Sequence, residues 1–209
     1  MEELSVFTAR MIMIGALSLS TIVPAQAANN LPDWPCVQGR VPTISAATMW
    51  SEPPLDDSRA DEWRNDSATA RLVKRLSLRR VTIEEAGEYL DEFSNPLSEA
   101  ERLEKLPLVF QGVLQIINKE RASIIRGIER YTRTQKKLAT EVSQSREELE
   151  DALTNAKNDQ EREIAQQKLD WQTRIHLDRE RSLEFVCESP RLLEQRAFAV
   201  AREIQYRLP

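Results

Sequence analysis

The residues with the means to do chemistry are few: one histidine, two cysteines, and several runs of carboxylates and basic groups. His176 sits between Ile175 and Leu177 in the charged run 174–181, with no cluster of further metal-ligating residues around it. A lone histidine in that setting reads as a surface residue of a helix, not as a metal ligand or a general base. Glu147, Glu148, Glu150 and Asp151 are carboxylate-rich, but neighbouring carboxylates point around a helix, and paired-carboxylate catalysis needs a pocket. A glycine-rich phosphate loop, a G-x-S-x-G elbow and a local cysteine, histidine and asparagine pattern are all missing from the sequence. Serine–lysine chemistry is left open, since its members meet only in the fold. The expectation is a non-enzyme with no cofactor and no metal.

The two cysteines depend on the compartment, and the first 27 residues speak to that. Arg10 precedes the apolar run 11–23, and Pro24-Ala25-Gln26-Ala27 puts small residues at the two positions a signal peptidase inspects. An apolar run of 13 residues is short of the roughly 17 to 25 that span a bilayer. Cleavage after Ala27 and a periplasmic or secreted mature chain are therefore expected. Glu2 and Glu3 stand where a leader is normally basic, which leaves Met11 or Met13 as alternative starts. In an oxidising compartment Cys36 and Cys187 are expected to pair internally, with an intermolecular bridge or two free thiols as the alternatives. The loop so closed holds about 150 residues, for which chain-entropy models give on the order of 4 to 5 kcal/mol.

The elements that must position these groups are helices. With 41% hydrophobic, 30% charged, only 6% aromatic residues and five glycines, the composition of the 209 residues disfavours an open sheet with many tight turns. The formal charge of -5 gives no general attraction to nucleic acid. Five prolines between 28 and 56 remove backbone donors and predict an extended arm, whose apolar residues Trp34, Val37, Val41, Ile44, Met49 and Trp50 lie along a helical body. Trp34-Pro35-Cys36-Val37-Gln38, then Val41-Pro42 and Met49-Trp50, resembles the start of a group of uncharacterised exported bacterial proteins. The resemblance covers about 20 residues; it implies bacterial export and brings no catalytic residue.

A first helix is expected over 57–78, capped by Asp56, Asp57 and Ser58, and a second from Thr82, where Thr82 and Glu85 have capping-box spacing. Ser98 and Glu101 offer another capping box, opening a short helical turn that Pro107 kinks or interrupts. From Leu108 onward, Ile117, Ile124, Tyr131, Leu138, Ser145 and Ala152 recur every seven residues, with Arg121, Ile128, Gln135, Val142 and Leu149 in the alternate series. That is a coiled-coil seam with polar defects. After turn formers near 154–159, periodicity resumes through Ile164, Trp171, Ile175, Ser182 and Phe185, which predicts an antiparallel hairpin of roughly 43 Å per arm. Glu188-Ser189-Pro190 is expected to break the return helix before a last helix with a broad apolar face.

The resulting architecture is all-α: signal peptide 1–27, extended Pro-rich arm 28–56, helical base 57–126, coiled-coil hairpin 127–187, and a C-terminal helix 188–209 completing the base. Arg71, Lys74, Arg75, Arg79 and Arg80 form a basic run that fits anionic lipid or an acidic partner, although pairing with Glu84, Glu85, Glu88, Asp91 and Glu92 is the plainer account. The functional expectation is an interaction or adaptor protein of the bacterial cell envelope, docking through the hairpin tip at Lys157, Asn158 and Asp159. Its partner is another envelope protein or a second copy bound through helices, with no nucleic acid and with membrane contact left open. A periplasmic chaperone and a regulator of an envelope enzyme are the alternatives.

Overall fold

The structure is a computed structural model that describes residues 33–51, 53–156 and 158–209. The expected leader with its expected cleavage after Ala27, the first residues of the expected arm, and Lys157 lie outside the described residues. Among those described, the molecule is all-α and contains no strand. Four helices carry it: α1 (Ser67–Ser77), α2 (Ile83–Ser94), α3 (Glu99–Asn155) and α4 (Asp159–Gln205).

The capping chemistry explains where the helices begin. Thr82 and Glu85 make a reciprocal capping box on α2, and Ser98 and Glu101 make another on α3. α1 starts ten residues later than the sequence predicts, because Asp66 accepts from the Ala68 and Thr69 amides and fixes the first turn there. Asp56 caps only a short 3-10 turn, Asp57–Arg59, and a second such turn, Glu62–Arg64, tucks Trp63 into the core.

Neither interior proline breaks its helix, contrary to expectation. α3 runs unbroken through Pro107, and α4 runs unbroken through Pro190. A proline removes one amide donor and crowds the preceding turn, so neighbouring carbonyls need other partners. Two carbonyls close to Pro190 take side-chain donors from other parts of the chain. Gln38 donates to the Cys187 carbonyl, and Arg121 donates to that of Pro190.

The base core gathers α1, α2, the first third of α3 and the end of α4 around Val73, Leu76, Leu90, Leu106, Phe110 and Ile204, all sealed from solvent. Trp50 from the arm stacks on Phe110 with ring centroids 4.5 Å apart. Gly112 lets Trp63 and Val73 approach α3 closely, since a Cβ there would stand 2.9 Å from both side chains.

The 33–51 segment lies along α3 and is fastened at several points. Asp33 pairs with Arg133 and Lys136, Arg40 with Glu129, and the Asn118 amide both accepts from and donates to the Ile44 backbone. Cys36 and Cys187 form a disulfide, with Cα atoms 5.5 Å apart, next to buried Trp34, Ile125 and Ile128. The internal pairing expected from the sequence is thus the one observed.

Candidate functional site

α3 and α4 pack antiparallel from the base to the turn at 156–158. Tyr131 donates to the Arg179 carbonyl, Ser145 to Gln172, and Lys168 pairs with Glu148, so later points on α3 meet earlier points on α4. On α3 the buried line runs Ile117, Arg121, Ile125, Ile128, Thr132, Gln135, Leu138 and Ser145. This broadly follows the anticipated seam, with Ile125 and Thr132 buried more fully than the neighbouring Ile124 and Tyr131.

Arg121 is not a defect in that line. Its buried guanidinium donates to the Val41 carbonyl at 2.7 Å and to the Pro190 carbonyl, and it meets Glu194 at 3.2 Å. One side chain therefore ties the arm, α3 and α4 together at the proline. A charge buried with so many acceptors satisfies its hydrogen-bonding needs internally.

On α4 most of the expected face is turned outward. Ile164, Trp171 and Phe185 are 59%, 65% and 77% exposed, so they do not face α3. The half-buried positions between the turn and Cys187 are Arg162, Ala165, Leu169, Gln172, Thr173, Ile175, His176 and Leu183, so of the residues expected on this face Ile175 alone is turned inward. Leu183 packs against the cluster holding Ile125 and Ile128, while Gln135 donates to the His176 carbonyl at 3.2 Å. His176, read from sequence as a surface residue, has its Nδ1 buried without a protein partner, as does the Gln135 Oε1. These two groups make a polar step inside the helix pair.

The displaced apolar residues form the main unassigned surface. Ile164, Trp171, Phe185 and Leu192 fall on one heptad position of α4, with Asp178 between them. At 3.5 residues per turn they lie about a third of a turn from the face that meets α3. The arm occupies the other flank of α4, where Pro35, Cys36 and Val37 meet Leu183, Glu184 and Cys187 around a groove of about 560 Å³. The stripe's positions follow one another at about 10 Å along the helix, with Asp178 interrupting the apolar row.

The other candidate residues are dispersed. Asn158 caps α4 by accepting from the Glu161 amide, and Asp159 pairs with Arg162 within the first turn. Both thus have local structural work. Arg71, Lys74, Arg75, Arg79 and Arg80 are exposed and make no ion pair with α2 acids among the described residues. Arg75 instead lies over the Tyr89 ring at 4.7 Å.

Arg196, which sequence reasoning did not single out, holds α1 to α4 by donating to the Leu76 and Val81 carbonyls, and burial pushes its pKa down. Arg207 does similar work on α2, reaching Asp91 at 2.7 Å and the Gly87 carbonyl at 2.9 Å. The signal for both is weak: an arginine in an otherwise apolar helix face.

Among the described residues no group of three or more side chains is arranged to hold a metal ion, and no helix is long and apolar enough to cross a membrane. No protein-family model, no curated protein and no solved structure matches this chain.

Proposed function

We propose that this is a non-catalytic interaction protein of the bacterial cell envelope, exported by its leader and docking a helical partner through its coiled-coil hairpin. The observation that carries the reading is the outward stripe of Ile164, Trp171, Phe185 and Leu192 on α4. Exposing two aromatic rings to water on a rigid helix forgoes burial of roughly 1.5 to 3 kcal/mol per large apolar side chain, and a partner helix laid along the stripe recovers it. Asp178 in the middle of the stripe favours a partner of defined charge over a promiscuous grip on unfolded clients.

The docking point therefore moves from the tip to the shaft. Lys157, Asn158 and Asp159 become secondary, because Asn158 and Asp159 are engaged in starting α4. The extended Pro-rich arm and the disulfide hold the lower shaft against the base, giving the hairpin a fixed footing.

A photo-crosslinking residue placed at position 171 or 185 in cells tests this. Protein adducts should form at both positions and be absent or much weaker at Glu180, which lies on the arm side of α4. Equal adduct yields at all three positions, or none at any, would contradict a docking face on this side of the shaft.

A further inference from the structure

The stripe on α4 has a symmetry of its own. Trp171 and Phe185 each stand seven residues from Asp178, and Ile164 and Leu192 each stand fourteen. Read in either direction, the heptad position runs aliphatic, aromatic, acidic, aromatic, aliphatic. A helix with that pattern is complementary to a second copy of itself laid antiparallel, with the two-fold axis at Asp178. Trp171 of one copy then meets Phe185 of the other, and Ile164 meets Leu192.

The charges fit the same register. Arg174 and Arg181 flank Asp178 on the outer side of the stripe, and Arg181 already reaches Asp178 at 3.4 Å within one chain. At the axis, two carboxylates sit among four guanidinium groups, so the crossing is attractive. Farther out, the first turns of α4 in one copy, with Glu161 bordering the stripe, arrive close to the level of Leu192 of the other. Leu192 there lines a depression with Arg79, Arg80 and Arg196. An acidic tip meets a basic base at each end.

The size is adequate. At roughly 150 to 250 Å² per aromatic side chain, the exposed parts of Trp171 and Phe185 supply on the order of 500 Å² across two copies. Ile164, Leu192 and the flanking charged stems bring the total to on the order of 1,000 Å², the lower bound for a specific interface.

We infer that the partner of this face is a second copy of the chain, bound antiparallel through α4 about a two-fold axis at Asp178. This rests on the reading of the stripe as a docking face.

Sedimentation velocity of the purified full chain over a range of concentrations tests it, together with oxidative crosslinking of single added cysteines. The expected result is a reversible dimer. Asp178→Cys should give a covalent dimer in high yield. Trp171→Cys alone should not, because the two copies of that position stand roughly 21 Å apart along the helix. Trp171→Glu with Phe185→Glu should raise the dissociation constant at least tenfold, as loss of aromatic anchors does. Asp178→Arg, on an exposed position that the fold does not need, should do the same by placing like charge among Arg174 and Arg181. A chain that is monomeric at every concentration, or a dimer that links through Trp171→Cys and not Asp178→Cys, overturns the inference. If the chain is monomeric while a crosslinker at 171 still traps a different envelope protein, the second-copy partner is wrong and the docking face stands; if neither appears, both fail.

Discussion

In the base, Val73, Leu76, Leu90, Leu106 and Phe110 are sealed from water, while along the shaft Trp171 and Phe185 stand in it and Gln135 and Ser145 are buried. The change of regime falls at one residue of α4. Before Pro190 this helix has no fully buried side chain, and from Pro190 to Ile204 it has six. In the base the large apolar groups and the buried positions coincide, which is the usual condition for a stable core. Along the shaft they have partly come apart: Ile125, Ile128 and Leu138 of α3 are buried in the helix contact together with Thr132, Gln135 and Ser145, while the largest apolar side chains of α4 face outward. The difference teaches that the shaft is held together well enough by helix propensity, side-chain hydrogen bonds and the arm for its largest apolar residues to face outward.

The contrast predicts a graded response to substitution. Phe110→Ala, which empties the centre of the base and unstacks Trp50, should cost about 3 to 5 kcal/mol in denaturant unfolding. A cost near 1 kcal/mol would mean that the base is no better packed than the shaft. Leu138→Ala, at the last fully buried leucine of α3, should cost about 2 kcal/mol, since two helices enclose a side chain less completely than a core does. Gly112→Ala adds a methyl where Trp63 and Val73 leave no room, and overpacking of this kind costs roughly 1 to 3 kcal/mol. No loss of melting temperature there would show that Trp63 moves away freely.

A smaller effect tests the cap that starts α1 through its pH dependence. Hydrogen bonds from the Thr69 side chain and from the Thr69 and Ala68 amides hold the Asp66 carboxyl below its ordinary pKa. A folded-state pKa below the unfolded value near 3.9 gives stability that is present above about pH 4 and lost as the pH falls through the folded value. Asp66→Ala should therefore lower stability by about 1 kcal/mol at pH 7 and flatten the acid limb of the stability curve. An acid limb unchanged by the substitution would place the pH sensitivity elsewhere.

Much of the architecture was legible in the sequence, for reasons that are local. The capping boxes at Thr82 and Ser98, the polar turn before Asp159 and the even number of cysteines each carry their own physics over a few residues. The prolines misled because each removes a single backbone bond, and α3 and α4 continue past it as long helices. Asp56 was a plausible cap, but Asp66 makes the bonds that start α1. The face of α4 was misread because Ile164, Trp171 and Phe185 give the strongest heptad signal, while the contact positions mix Leu169 and Leu183 with Ala165, Gln172 and His176, which carry little of it. Periodicity reports an apolar stripe; it does not say whether the stripe meets its own chain or another.

That distinction is the central claim, and it has a direct test. Trp171→Ser with Phe185→Ser, unfolded in urea at a concentration low enough to keep the chain monomeric, should change the unfolding free energy by no more than about 0.5 kcal/mol, the range of exposed positions. A loss of several kcal/mol would show that these side chains lie inside the helix pair, and that α4 faces α3 in the register its apolar sequence first advertised.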